Sequence, residues 1–166
     1  SGDVIHVKPI YVINGDVDYE TGNIDVATDV QIAGNVRAGF TVESRGSVTV
    51  AGSVESGATV VAAGDVIVSQ GIVGEQTNDT ARGILSMGTI QCKFIQTANV
   101  LAKEAIEVGS YIFNASVRCG GEITVRSGGG ERGGSIVGGE VFAARSIQAK
   151  NIGSSTTAGT VIGLNS

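Results

Sequence analysis

From Ile24 to Ile72, a branched apolar residue returns every six positions without a slip: Ile24, Val30, Val36, Val42, Val48, Val54, Val60, Val66 and Ile72. An amphipathic helix would place apolar residues at alternating steps of three and four, not strictly at six. The second residue after each lattice position is often apolar as well (Val30/Ile32, Val48/Val50, Val66/Val68), which is strand alternation over a short run. Each six-residue unit therefore reads as a short strand followed by a corner. Three units make a longer period of 18, because TDVQIAGNVRAGFTVESR (28–45) aligns column by column with GSVTVAGSVESGATVVAA (46–63). A chain repeating this way is expected to wind into a solenoid of three-strand coils stacked as parallel sheets.

Beyond Ile72 the step varies but the columns persist. The first runs Val30, Val48, Val66, Ile90, Ile106, Ile123, Ile147. The second runs Val36, Val54, Ile72, Ile95, Ile112, Ile136, Ile152, and the third Ile24, Val42, Val60, Ile84, Val100, Val117, Val141. Two stretches interrupt them, EQTNDTAR (75–82) between second and third strands and SGGGERGG (127–134) between first and second. The expected fold is all-β, a single-stranded right-handed parallel β-helix of about eight triangular coils, roughly 40 Å long at ~4.8 Å per coil. Right-handedness is expected because the coil length varies and corner insertions are tolerated.

The columns can carry a core without large aromatics, since burial of each Val or Ile contributes ~1.5–3 kcal/mol. That matters here, because the chain has no Trp, three Tyr and four Phe. Ser44, Ala62, Ser86, Ala102, Cys119 and Ala143, two places after the third column, are expected to line a narrow inner corner. Gly34, Gly46, Gly52, Gly57, Gly64 and Gly121, among 26 glycines in 166 residues, are expected to supply corner dihedrals that a Cβ resists. The domain is expected over 11–153, after a lead-in at 1–10 whose first two residues read as a cloning remnant. Residues 154–166 read as a C-terminal cap or a linker to a further segment.

The phrases VKPIYVINGDVDYETGNID (7–25), GNVRAGFTVESRGSVTVAGSVE, GDVIVSQGIVG, CKFIQTANVLA and GGSIVGGEVFAARSIQAKNIGS resemble, in that order, the central β-helical domain of the flagellar assembly protein A (FapA) family. The resemblance implies a bacterial cytoplasmic protein that acts in flagellar assembly through protein contacts, with no catalytic residue to carry over. Bactofilins share the V-x-V-x-G pattern, so a bactofilin-like cytoskeletal polymer joined through its ends is the alternative. Pro9 blocks one ladder hydrogen bond at the first strand and argues against such pairing.

A carbohydrate-acting β-helix enzyme ranks third. It needs stacked carboxylates, whereas the outward places on the first strand are Gln31, Thr49, Ile67, Gln91, Glu107, Thr124 and Gln148. The single histidine, His6, lies in the lead-in and reads as a surface residue, and SGGGERGGS (127–135) lacks the lysine and following helix of a phosphate cradle. A net charge of −5 and a pI near 4.8 argue against nucleic acid. No apolar run is long enough to span a membrane. Cys92 and Cys119 have no metal-site spacing and read as free, buried thiols in a reducing compartment. The glycosylation-like triplets Asn78–Thr80 and Asn114–Ser116 read as chance. No cofactor or metal is expected.

The informative outward residues are apolar. Val61, Leu85 and Leu101 on the third strand are expected to stack over three consecutive coils, with Arg118 and then Phe142 beyond them. Val73, Phe113 and Val137 face outward on the second strand, with Phe94 and Tyr111 at its leading corner. A contiguous apolar strip of this kind often marks an interface. Its cover is expected to be either a flanking domain or a protein partner of unknown identity.

Overall fold

The computed structural model describes residues 9–75, 83–128, 133–153 and 161–164; His6, Asn78–Thr80 and the 129–132 part of the glycine-rich loop lie outside them. Within these residues every regular element is a strand, and all strand pairs are parallel. The chain passes three faces in turn and then repeats one level up. The first face stacks eight strands: Ile10–Ile13, Asp29–Ile32, Val48–Val50, Val66–Val68, the first half of Thr89–Gln96, the first half of Ala105–Phe113, Glu122–Val125 and Ser146–Gln148. The third face stacks eight more, from Ile24–Val26 to Val161–Leu164. The second face begins as single bridges, Val17 to Val36 to Val54 to Ile72. It then becomes regular strand through Ile95, Ile112, Ile136 and Ile152.

All three sequence columns are ladder columns. Val30 pairs with Val48, Val48 with Val66, Val66 with Ile90, Ile90 with Ile106, Ile106 with Ile123 and Ile123 with Ile147. Val17 extends the second column downward and Ile162 extends the third upward. The strand Val161–Leu164 thus continues the third face after the six-residue step has been lost in the sequence. From Val30 to Ile136 the column residues are buried, so the core is a shaft of Val and Ile closed by the three faces.

Part of the change in coil length arises at the corner between the second and third faces. In the 18-residue coils a turn is made through Gly39 and Gly57, with φ of +85° and +82°. In the coils above, a single left-handed residue turns the chain at Thr97 (φ 57°) and at Asn114 (φ 49°), while Gly138 and Gly139 share the turn at 69° and 70°. Residues with a Cβ resist this conformation, and the amides of Thr97 and Asn114 are held in it by donation to the Phe113 and Val137 carbonyls of the next coil. The lattice slips in the sequence because this tighter corner uses one residue fewer, because the register shifts between Cys92 and Phe94, and because of the two insertions.

The corner glycines act differently from expectation. Of the six named, only Gly57 has a positive φ. The others sit where the neighbouring coil comes too close for a Cβ: one on Gly34 would strike the Asp16 carboxylate, on Gly46 that of Asp29, on Gly52 the Asn35 side chain, and on Gly121 the Glu104 carbonyl. The contacting side chains are caps. Asp16 accepts from the Asn35 amide at 2.7 Å, and Asn35 Oδ1 from the Ser53 amide at 2.8 Å. At another corner Asp29 accepts from Ser47 N at 2.8 Å, Ser47 Oγ from Asp65 N at 3.0 Å, and Asp65 from Thr89 N at 2.8 Å. Each polar side chain satisfies an amide one coil up that the ladder leaves open, worth ~1 kcal/mol apiece. The inner corner behaves similarly: Ser44 Oγ donates to the Thr28 carbonyl at 2.5 Å, and Ser86 Oγ donates to that of Gly64 at 2.7 Å. Ala62, Ala102 and Ala143 occupy the same buried corner in other coils.

Candidate functional site

Strand alternation sends every second residue of the third face outward. Ladder register stacks those residues in one row: Asp25, Glu43, Val61, Leu85, Leu101, Arg118, Phe142. Val61, Leu85 and Leu101 therefore lie on three consecutive coils, ~4.8 Å apart. Leu101 is 45% exposed, and the two below it are half-buried against each other. A groove of about 310 Å³ opens over them, with Thr59, Asn99 and Ser116 on its polar side and Arg118 at its upper end. The row where the chain leaves this face runs Arg45, Ala63, Met87, Lys103, Gly120, Ala144, each amide bonding to the coil below. Sequence reading did not single out Met87, which is 46% exposed beside Leu85, because it falls on the corner after the strand.

Phe142 is separated from the leucines by Arg118, whose guanidinium carbon lies 4.9 Å from its ring centroid. This cation–π contact is worth ~0.5–1 kcal/mol at an exposed site. It holds the cation at the end of the groove, and among the described residues no carboxylate forms an ion pair with Arg118.

The second-face residues are arranged otherwise. Gln96 stands between Val73 and Phe113 in the ladder, and Val137 follows Phe113. Phe94 and Tyr111 stack with centroids 5.2 Å apart and planes 9° from parallel. Gly71 sits beside the Phe94 ring, where a Cβ would collide with it. The Tyr111 hydroxyl donates to Gln96 Oε1 at 3.4 Å. These side chains pack on one another along the rod.

Among the described residues, the outward row of the first face holds no pair of acids. Gln31, Thr49, Ile67, Gln91, Glu107, Thr124 and Gln148 do form one outward row. Its one carboxylate, Glu107, lies 3.8 Å from Arg126. Among the described residues no group of three or more His, Cys, Asp or Glu is placed to hold a metal ion, and no helix is long and apolar enough to cross a membrane.

Both cysteines are free and buried. Burial pushes the Cys92 thiol up to about 12 and also raises Cys119, against which the Gly121 amide pulls down and Glu122 adds a further push upward. At neutral pH the Cys92 thiolate fraction is then roughly a thousandfold below that of an ordinary thiol. Iodoacetamide at pH 8 is expected to spare Cys92 in the folded protein and label it fully in denaturant, as read by peptide mass spectrometry. A raised thiol pKa stabilises the fold below the unfolded value near 9 and loses that contribution as pH climbs towards 12. Thermal melts should accordingly show a steeper alkaline loss in the wild type than in Cys92→Ala.

A parallel three-faced shaft of stacked coils, with an apolar groove on its third face, defines a β-solenoid domain. A family model described as the flagellar assembly protein A β-solenoid domain matches residues 9–166, and the chain belongs to that family. Neither the curated proteins nor the solved structures yield a match.

Proposed function

We propose that this domain is a non-catalytic scaffold of the bacterial cytoplasm that presents its third face to a protein partner during flagellar assembly. The observation that carries this reading is the alignment of Val61, Leu85 and Leu101 over one groove on three successive coils. Surface positions are free to be polar, and the outward rows of the first face largely are. The family supplies the process, and the groove supplies the means.

Leu85→Asp and Leu101→Asp place charges in the groove while leaving the inward columns intact. In a flagellated bacterium carrying the gene, each is expected to reduce motility in soft agar, with protein abundance and melting temperature close to wild type. Normal motility in both variants would reject the groove as the working surface.

The competing bactofilin-like reading draws on one feature, the exposure of Ile10, Tyr11 and Val12 on the first strand of the stack. Sedimentation velocity over a wide concentration range separates the two. A fixed small species supports the scaffold, whereas growing polymers move the function to the ends of the rod.

A further inference from the structure

We propose that the third-face groove takes an extended, acidic and apolar segment of the partner protein, an inference that rests on the docking reading above. The groove floor is apolar, and its one charged lining residue is Arg118. Lys103 lies on the neighbouring exit row, so two cations flank the upper groove in a chain whose net charge is −5, while an acid there, Glu140, stands outside the groove one ladder step above Ser116. The acid on the same outward row, Glu43, lies beyond Val61 at the far end. Arg118 is already held over Phe142, which lowers the entropy lost when its guanidinium meets a carboxylate.

Spacing points to an extended occupant aligned with the rod. The gap between Leu85 and Leu101 is centred one and a half ladder steps below Arg118, or ~7 Å. Side chains two residues apart on an extended peptide are separated by ~6.6–6.8 Å. A glutamate over Arg118 therefore sets an apolar residue, two positions along, into the space between the two leucines. Thr59, Asn99 and Ser116 lie on the polar side, where a peptide backbone needs hydrogen-bonding groups.

The test uses a fluorescein-labelled octapeptide of alternating leucine and threonine carrying one central glutamate, and its glutamine counterpart, read by fluorescence polarisation. The glutamate peptide is expected to bind about fivefold tighter, the upper range for an exposed ion pair, with the preference shrinking in high salt. Arg118→Gln should abolish the preference without weakening the glutamine peptide, and Leu101→Ser should weaken both. Equal binding of the two peptides, or a preference that survives Arg118→Gln, would overturn the acidic specificity while leaving the docking reading intact. Failure of both peptides to bind the folded wild type would overturn the acidic, apolar segment as the occupant, and the motility of Leu85→Asp and Leu101→Asp would then decide the docking reading separately.

Discussion

Val54→Asp is expected to abolish the cooperative melt of this domain, while Glu55→Ala, one residue along, is expected to lower it by no more than a few degrees. Val54 is 1% exposed and stacked between Val36 below and Ile72 above. The substitution forfeits ~1.5–3 kcal/mol of apolar burial and buries a carboxylate with no partner, which costs several kcal/mol more. A domain with ~5–15 kcal/mol of total stability cannot absorb both. Glu55 faces outward, where its carboxylate lies 3.2 Å from Arg37. An exposed pair of that kind contributes ~0.2–1 kcal/mol. Circular dichroism melts of the two variants decide the matter, and equal midpoints would mean that the column assignment is wrong by one residue.

The shaft was legible because burial on a parallel ladder is periodic. Any residue that pairs with Val30 must also be branched and apolar, so the requirement repeats from Val48 to Ile147. The period survives changes in coil length because it belongs to the ladder and not to the chain. The outward row from Val61 to Phe142 followed from the same register, since one step along a strand reverses the face. The groove over that row did not follow, because its depth depends on how the neighbouring corners stand above the face.

What the sequence reading missed lay at the corners. The triplets Gly15-Asp16-Val17, Gly34-Asn35-Val36, Gly46-Ser47-Val48, Gly52-Ser53-Val54 and Gly64-Asp65-Val66 all carry a small polar acceptor between a glycine and a column residue. That recurrence was the available signal for a capping ladder. It was hidden by the usual association of glycine with unusual dihedrals, which here accounts for Gly57 but not Gly34, Gly46, Gly52 or Gly64. The exit-row residues Met87 and Lys103 were missed for a related reason, because two-residue alternation was followed only to the strand ends.

The two roles of corner glycine predict different responses to substitution. Gly121→Ala is expected to be among the most damaging single-methyl additions in the chain. Its Cβ would be driven into the backbone carbonyl of Glu104 one coil below. That carbonyl cannot move aside as a side chain could, since the strand Ala105–Phe113 that follows it is pinned by ladders to the coils on either side. Overpacking of this sort costs ~1–3 kcal/mol, occasionally more, or on the order of 5 °C in a domain of this size. Gly15→Ala, where a Cβ meets nothing within 4 Å, should leave the midpoint unchanged or slightly raised. Gly39→Ala separates the mechanisms: its Cβ also meets open space, but its φ is +85°. The loss there is expected to be ~1–2 kcal/mol from the left-handed backbone alone, and Gly39→Asn should recover part of it. Asparagine at 121 should instead be at least as harmful as alanine, because the obstacle there is volume. Melts of these variants that ranked Gly15→Ala with Gly121→Ala would remove close approach of the coils as the reason for glycine at the corner.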